Sequence, residues 1–334
     1  MKYLLEKDLP LLVLFFLLLG CYDEGRLIEI TVPPTAPRLV IHSVIYPAGA
    51  LQRVSPLGFK VSSTAHIFDK GADLITDAVV RLYKKDQFFG TLEYIDSLGY
   101  YPLNDSPDYN DDYRIEVSKE GFLRANAIVA VPSAIEIDTV IITPMAYFDE
   151  ENYVFSEVEI RFRDAPDETN FYEVVVFVTS SFFQPSTDFW PEDFQENTGE
   201  ALELVAFDRV ITEESYYIPK TNINSDYPVS LLFSDNTFNG KKYSLKVYYN
   251  PPGRLYIPGD VANHRIRVYL RKVTEETFQF KTAMLEQYNH REEDILYGVG
   301  EPINVFSNVE NGYGLFGAYS YDSFLLSIEG FIAQ

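Results

Sequence analysis

The chain has 334 residues, with 27 Lys and Arg against 50 Asp and Glu, so its formal net charge is −23. A surface of that sign repels phosphate backbones and anionic lipid headgroups, because both are bound through clustered Lys or Arg. We therefore expect no nucleic-acid partner. A single Cys excludes an internal disulfide and a thiolate cluster for zinc or iron–sulfur. With 46% hydrophobic residues, 25 Tyr and 25 Phe, the composition is that of a folded chain rich in β-structure.

The amino terminus has the pattern of a lipoprotein signal peptide over residues 1–20. Lys2 and Lys7 precede the apolar run Leu9–Leu19, which is too short to span the roughly 30 Å hydrocarbon layer as a helix. The run ends in Gly20-Cys21. A small residue followed by Cys at this point resembles the lipobox of bacterial lipoproteins, in which the chain is cleaved before the Cys and lipidated on its sulfur. We predict that Cys21 carries acyl chains such as palmitate and anchors the chain; the alternative is a coincidental Cys after an ordinary secretory signal.

Residues 21–37 are predicted to form a tether, because Pro33, Pro34 and Pro37 favour an extended segment over a helix. Asp23 and Glu24 follow shortly after the Cys. Acidic residues at this point resemble the signal that displays lipoproteins of the Bacteroidota on the outer face of the outer membrane. They are equally expected in a solvated linker, so the side of the membrane stays open.

From Arg38 the chain is predicted to form strands joined by turns. Short runs rich in β-branched and aromatic residues alternate with polar or glycine-containing segments, and no long period of 3.6 residues occurs before residue 130. The predicted strands of this half are Leu39–Ile45, Ala78–Tyr83, Phe88–Leu92 and Tyr113–Val117. Lys84–Gln87 joins two of them at hairpin spacing. The pattern predicts an immunoglobulin-like β-sandwich over residues 38–131.

A second β-sandwich is predicted over residues 138–334, after a joint at Pro132–Asp138. Its predicted strands are Thr139–Ile142, Ser156–Arg163, Phe171–Val178, Tyr243–Tyr249, His264–Arg271 and Ser323–Ile328. One helix is predicted at about 275–289, with Thr274 accepting the free amide hydrogens at its start. The residues predicted for its buried side are Phe278, Ala283, Leu285 and Tyr288. We therefore predict a mainly β chain with two antiparallel β-sandwich domains of the immunoglobulin or fibronectin kind and one C-terminal helix packed on the second.

The carboxyl-terminal part of the chain carries a long motif. Glu301–Tyr319 has the sequence EPINVFSNVENGYGLFGAY and follows the predicted helix. It resembles the closing segment of an outer-membrane lipoprotein family of the Bacteroidota that has no known function, in which E-P-x-x-x-x-S-N-[IV]-x-x-G-x-G-x-F-[GA] follows a late helix. Thr76–Tyr83, Gly99–Pro102 and Tyr113–Phe122 resemble the first β-domain of that family. The resemblance covers roughly residues 20–330. It implies an outer-membrane lipoprotein, often encoded beside a TonB-dependent receptor, with no catalytic residues to assign.

Gly312, Gly314 and Gly317 of this motif match the G-x-G-x-x-G pattern of dinucleotide sites. Such a site needs a strand before it, a helix after it and an acidic residue about 20 residues further on. Only 17 residues follow Gly317, so we expect no nucleotide and no other cofactor. The three glycines are predicted to be structural, allowing positive φ and close backbone approach where a loop folds back beneath the helix.

Asp108, Asn110 and Asp112 place oxygen atoms at the first, third and fifth positions of a possible calcium loop. Tyr113 and Lys119 stand where an EF-hand needs Gly and Glu. The sequence therefore excludes an EF-hand and predicts no metal, with a looser calcium site kept as an alternative to a solvated turn.

The segment Ser181–Phe194 is predicted to be a loop with an unusual density of aromatic residues. Aromatic side chains clustered on a surface loop commonly contact a partner. The candidate contact residues are Phe182, Phe183, Phe189, Trp190 and Phe194. The alternative is that some of them cover the open end of the second sandwich.

No catalytic constellation is visible in the sequence. The four His are far apart, with neither H-x-x-x-H nor H-E-x-x-H spacing, and no G-x-S-x-G motif occurs. We predict a protein that is not an enzyme, is anchored to the outer membrane through Cys21, and captures a ligand for, or docks on, a TonB-dependent receptor. The alternatives are an adhesin or structural protein of the cell envelope, and a hydrolase whose acidic residues the sequence does not reveal.

Overall fold

The computed structural model describes residues 36–47, 57–65, 72–150, 154–166, 168–180, 200–202, 204–208, 210–211, 216–218, 230–250, 264–297 and 304–328. Within these ranges the chain is mainly β, with a single long helix near its carboxyl end. The predicted fold class is therefore confirmed.

The strands of the first half are short and follow closely on one another. They are β1 (Leu39–Ile45), β2 (Gly58–Ser63), β3 (Val79–Lys84), β4 (Gln87–Leu92), β5 (Tyr101–Pro102), β6 (Asp112–Ser118) and β7 (Ala125–Ala130). The predicted hairpin is present, because Lys85 and Asp86 both have positive φ, at 49° and 60°, and form a two-residue turn between β3 and β4.

The second half has longer strands and the helix. The strands are β8 (Ile137–Phe148), β9 (Val154–Arg163), β10 (Phe171–Ser180), β11 (Glu200–Ala201), β12 (Leu204–Val205), β13 (Tyr216–Ile218), β14 (Ser230–Ser234), β15 (Lys242–Tyr249), β16 (His264–Val273) and β17 (Tyr313–Ile328). The helix, α1 (Glu275–Tyr297), lies between β16 and β17.

These strands form one large sheet and two small ones. The large sheet has the order β13-β14-β10-β16-β17-β1-β2-β5, with β11 also paired to β10. The first small sheet has the order β4-β3-β6-β7, and the second has the order β12-β15-β9-β8.

Each small sheet buries one face against a different part of the large sheet. Buried and more exposed side chains alternate along β6 and β9, as expected for antiparallel strands with one face in a core. The first core includes Ile41 and Phe59 of the large sheet with Leu82 and Ile115 of the first small sheet. The second core includes Val176 and Leu270 of the large sheet with Ile160 and Leu245 of the second small sheet.

Strand pairing crosses the predicted boundary between the two sandwiches. β17 pairs in parallel with β1, with Tyr313 opposite Val40, and it pairs antiparallel with β16 on its other side. Pro37–Gln334 forms one compact unit. The two predicted sandwiches are thus two cores that share one sheet, and the division at residues 131–138 marks only the crossing from the first small sheet to the second. A parallel pair between strands so far apart has no local sequence signal.

The helix begins at the predicted residue. Thr274 Oγ1 accepts a hydrogen bond from the backbone amide of Thr277 at 3.4 Å. The Thr274 carbonyl accepts one from the backbone amide of Phe278 at 3.0 Å. The helix ends at Tyr297, beyond the predicted end near residue 289.

The buried side of α1 differs from the prediction. Of the predicted residues, Leu285 is buried, Phe278 and Ala283 are half-buried, and the side chain of Tyr288 lies outside the described residues. The side chains that the prediction missed are Thr277, Phe280 and Lys281, all of them buried. The local sequence gives no signal that Thr277 and Lys281 are buried, because the residues they contact on the large sheet lie far away along the chain.

The helix packs on the face of the large sheet that points away from the small sheets. Phe278 packs on Phe171 with ring centroids 4.7 Å apart, and Phe280 packs on His42 at 5.7 Å. Their strand neighbours Tyr172 and Ile41 belong to the second and first cores. Because side chains alternate between the faces of a strand, α1 covers the opposite face and spans both halves of the sheet.

Among the described residues, no helix combines the length and the apolar composition needed to cross a bilayer.

Candidate functional site

Two of the predicted functional features lie outside the described residues. The first is the predicted lipidation site, Cys21. The second is the predicted contact loop, with Phe182, Phe183, Phe189, Trp190 and Phe194. Both predictions therefore stay predictions.

One carboxylate of the calcium candidate at the start of β6 is paired with a lysine side chain. Asp108 forms an ion pair with Lys84, and the neighbouring Asp111 lies 3.1 Å from Lys84 Nζ and 2.5 Å from Lys85 Nζ. The Lys85 ammonium, helped by Lys84 and opposed by partial burial, lowers the pKa of Asp111. Asn110 forms the left-handed turn residue, with φ of 61°. Of the two candidate carboxylates, Asp108 is thus paired with an ammonium group, and the calcium site stays a prediction.

In the described part of the chain, no three His, Cys, Asp or Glu side chains converge in a way that could hold a metal.

The three glycines of the carboxyl-terminal motif lie at sites of close approach, to backbone at Gly312 and Gly314 and to a side chain at Gly317. Gly314 has φ of 108°, and a Cβ there would overlap the carbonyl oxygen of Ile41 on the parallel neighbour β1. A Cβ on Gly312 would lie 2.6 Å from the carbonyl oxygen of Leu39, and one on Gly317 would overlap Thr277 Oγ1 at the start of α1. Gly314 and Gly317 belong to β17 and not to a loop, which corrects the predicted loop.

Asn308 of the same motif holds the start of β17. Its side-chain amide donates to the Phe316 carbonyl at 2.8 Å and accepts from the Phe316 amide at 2.9 Å, which copies the hydrogen bonds of a neighbouring strand. The described part of the motif therefore has a structural task, and no ligand-binding role is needed to explain it.

A cluster of buried charges lies between the large sheet and α1. Glu173 of β10 stands opposite Arg271 of β16 in the antiparallel register, and Arg271 Nη1 lies 3.2 Å from Glu173 Oε2. Lys281 of α1 reaches down to Glu173 Oε1 at 2.5 Å. We call Glu173, Arg271 and Lys281 the charged triad.

The triad is sealed from solvent. Glu173 is 1% exposed, Lys281 4% and Arg271 6%. Burial alone raises the pKa of Glu173, but the Lys281 and Arg271 charges overcome it and lower that pKa to about 2. Burial, with the Arg271 charge, lowers the pKa of Lys281 against the pull of Glu173. Because a substrate cannot reach these groups, the triad fixes the position of α1 on the sheet and is not a catalytic centre.

A partly exposed aromatic cluster on the second small sheet is the best-formed candidate binding surface among the described residues. The Tyr147 ring lies 5.7 Å from Phe155, 5.1 Å from Phe207 and 6.2 Å from Tyr248, between ring centroids. The rings of Phe207 and Tyr248 are 5.2 Å apart. Phe207 is 55% exposed. We call these four residues the aromatic patch.

A wide irregularity in β8 brings Tyr147 into this cluster. Thr143 pairs with Glu157 and Tyr147 with Phe155, so that β8 uses extra residues against β9. Met145, inside the irregularity, has φ of 49°, a conformation that costs free energy for a residue other than glycine. Bulges of this kind redirect a side chain, and they are found next to functional sites more often than elsewhere in sheets.

A polar row borders the patch on the same face of the sheet. The Tyr248 hydroxyl donates to Glu157 Oε2 at 2.8 Å, and Lys246 Nζ lies 2.8 Å from Glu157 Oε1. Further along, Glu159 accepts from Arg161 Nε at 2.7 Å and from Ser244 Oγ at 2.5 Å. An apolar centre beside a polar edge is the arrangement found in protein–protein interfaces.

The sequence pattern did not identify either of these clusters. The patch combines three sheet strands and the segment after β12, and the triad combines two strands and a helix. The one available signal was the odd spacing Pro144-Met145-Ala146 within β8, where a regular alternation of side chains breaks down.

Comparison with known proteins places the chain in a family without a described activity. No curated protein and no solved structure matches the chain. The family described as "Domain of unknown function (DUF4249)" matches residues 26–324, which is most of the sequence. The chain therefore belongs to the DUF4249 family.

Proposed function

We propose that this chain is a lipid-anchored accessory protein of the bacterial outer membrane that docks on a TonB-dependent receptor through its aromatic patch. The membrane part of the proposal is supported by the sequence, in which a signal-like segment ends at Cys21 and a Pro-containing tether precedes the first strand. The resemblance of Glu301–Tyr319 to outer-membrane lipoproteins of the Bacteroidota supports the same location and the receptor as partner.

The observation that carries the docking part is the aromatic patch, in which Phe207 is exposed and the other three rings are half-buried. Phe207 keeps 55% of its surface accessible although it contacts two neighbouring rings. Aromatic side chains supply a large apolar area with few rotatable bonds, so little conformational entropy is lost on binding. Contacts between the rings hold them in place before the partner arrives, which lowers that cost further.

A protein partner fits this surface better than a small molecule does. The patch lies on the outer face of a sheet, whereas small ligands bind mostly in concave pockets. Its polar edge, Glu157 with Lys246 and Tyr248, already has its charges paired, as at the rim of a protein interface. Receptor docking is therefore favoured over capture of a small ligand.

The test is a pull-down of a TonB-dependent receptor from the same organism by the full-length, detergent-extracted protein. Phe207→Ala and Tyr147→Ala should each weaken receptor binding about tenfold or more, because central aromatic residues of an interface often contribute over 1.4 kcal/mol. Phe88→Ala is the matched control, because Phe88 is 60% exposed but lies on the first small sheet. Binding that is unchanged in both patch variants would refute docking through the patch.

The anchor is tested separately. Cys21→Ala should abolish labelling by radioactive palmitate and release the protein from the membrane fraction, because the lipid on this residue is the proposed attachment. A variant that still carries labelled lipid would refute the assignment of Cys21.

A further inference from the structure

Two loops bring a pair of acidic side chains together in the interior beside the second core. Asp164 follows β9 and Asp235 follows β14, and each is 1% exposed. Both carboxylates accept from Nδ2 of Asn170, each at 3.1 Å, and Asn170 is also 1% exposed. We call Asp164, Asn170 and Asp235 the acidic cluster.

The described hydrogen bonds of the two carboxylates come from neutral donors alone. Asp164 accepts from the Tyr172 hydroxyl and, at 2.6 Å, from the Gly240 amide. Asp235 accepts from the Asn170 backbone amide at 2.9 Å and from Asn239 Nδ2 at 3.2 Å. Two carboxylates buried together without a positive charge are unfavourable, so the cluster needs either a shared proton or a bound cation.

Asn170 supplies the independent sign of a missing ligand. Its Oδ1 atom is buried and accepts no hydrogen bond, although a buried amide oxygen normally has a donor. Its Nδ2 atom faces four oxygens, because the carbonyl oxygens of Ala165 and Glu168 lie 3.1 and 3.3 Å away in addition to the two carboxylates. An amide nitrogen has only two hydrogens, so this oxygen cage exceeds what it can serve.

A calcium ion accounts for the convergence of these oxygens. If the ion takes the position that Nδ2 now holds and the Asn170 side chain turns its Oδ1 towards it, the ion is faced by that Oδ1, the oxygens of Asp164 and Asp235 and the two backbone carbonyls, an all-oxygen set of the kind that calcium takes. The absence of nitrogen and sulfur ligands from this set disfavours zinc and copper, and calcium tolerates irregular geometry better than magnesium does. We propose that the acidic cluster, with the carbonyl oxygens of Ala165 and Glu168, is a calcium-binding site that holds the β9–β10 and β14–β15 loops together.

A cavity of about 300 Å³ reaches the neighbours of the acidic cluster. It is lined by Ala165 and Tyr172, with Glu136 and Asp138 balanced by Arg163 and Lys272 on its walls. Ligand distances near 2.3–2.6 Å, typical of calcium, require the cage to contract by several tenths of an ångström, which loop segments can accommodate.

The experiment uses the full-length protein in detergent, treated with chelator and then titrated with calcium chloride. Titration calorimetry should show one calcium site, and millimolar calcium should raise the melting temperature by several degrees, whereas equal magnesium should raise it much less. Asp235→Asn should weaken calcium binding at least tenfold, because a charged ligand is lost.

Two further variants make the result decisive. Asn170→Asp should bind calcium more tightly than the wild type, because it adds a third charge to the same oxygens. Asp111→Asn, in the lysine-paired turn of the first small sheet, is the control and should leave the calcium response unchanged. If the wild type shows neither binding heat nor a calcium-dependent melting shift, or if Asp235→Asn responds like the wild type, the site is not a calcium site and the two carboxyl groups share a proton instead.

Discussion

The charged triad and the acidic cluster bury their charges in opposite ways. Glu173 is met by two cations, Arg271 and Lys281, which come from a different strand and from α1. Asp164 and Asp235 are met by amides and a hydroxyl. The triad contains charges of both signs and fixes a helix, whereas the described contacts of the acidic cluster include no cation of the chain. The role of a buried acidic residue thus depends on whether the chain places a positive charge beside it.

The largest expected effect comes from removing the one anion of the triad. Glu173→Gln leaves the charges of Arg271 and Lys281 buried without the carboxylate that neutralises them. Loss of one partner of a buried ion pair costs about 3–5 kcal/mol, so the free energy of unfolding in urea should fall by that amount.

The control for this variant is the double substitution Glu173→Gln with Lys281→Met. It removes one charge of each sign and should recover part of the loss, since a hydrophobic replacement of a buried pair is often tolerated. A double variant no more stable than Glu173→Gln alone would show that the contact between Glu173 and Lys281 does not couple the helix to the sheet.

The next effect is the response of the triad to acid. The folded-state pKa of Glu173 is about 2, below its ordinary value of 4.5. The stabilisation from ionised Glu173 is therefore fully present above about pH 4.5 and is lost as the pH falls towards 2, a loss of roughly 3 kcal/mol. Denaturation curves of the wild type and of Glu173→Gln should converge over this range. Parallel curves would contradict a lowered pKa.

A smaller effect is expected from lifting α1 off the sheet. A Cβ on Gly317 would overlap Thr277 Oγ1, so Gly317→Ala should displace the first turn of α1 and lengthen the contact from Lys281 to Glu173. We expect a destabilisation of about 1–3 kcal/mol, measured by thermal unfolding. Gly90→Ala is the matched control, since a Cβ there meets nothing within 4 Å. Equal melting temperatures for the two variants would remove the steric argument.

The smallest effect is expected at the acidic cluster without calcium. Asp235→Asn removes one of two like charges and keeps an oxygen that can accept from Asn170 and Asn239. Stability in chelator should therefore change by less than about 1 kcal/mol or increase, because relief of repulsion offsets any weakened hydrogen bond. The contrast with Glu173→Gln, measured under identical conditions, tests the comparison directly. A loss as large as that of Glu173→Gln would show that both centres are equally complete.

Local patterns predicted many of the elements with good boundaries. The predicted strand Leu39–Ile45 is identical to β1, because its alternation of side chains reflects one buried face. The start of α1 was predictable from Thr274, whose hydroxyl does what a capping residue does. The predicted end near residue 289 was too early, because the stop signal, Gly298, stands directly after Tyr297.

Other elements gave no usable signal. The tail strand was predicted over Ser323–Ile328, but β17 begins at Tyr313. Its first residues contain three small side chains, Gly314, Gly317 and Ala318, which a propensity argument assigns to a loop. They form a strand because β1 lies close enough to exclude larger side chains at Gly314 and α1 does so at Gly317. Tertiary packing therefore overrode local propensity.

The amino-acid sequence by itself determined the mainly β character of this protein, the positions of its strongest strands, and the start of its helix, because each depends on the alternation of neighbouring side chains or on one capping hydroxyl. Only the tertiary structure decided that the first and last strands pair, and that Glu173, Arg271 and Lys281 meet. The same holds for the four rings of the aromatic patch and for Asp164 with Asp235. The physical reason is that burial, Coulomb energy and ring packing depend on distances in space. The number of residues between two partners along the chain does not indicate how close they lie in the folded protein.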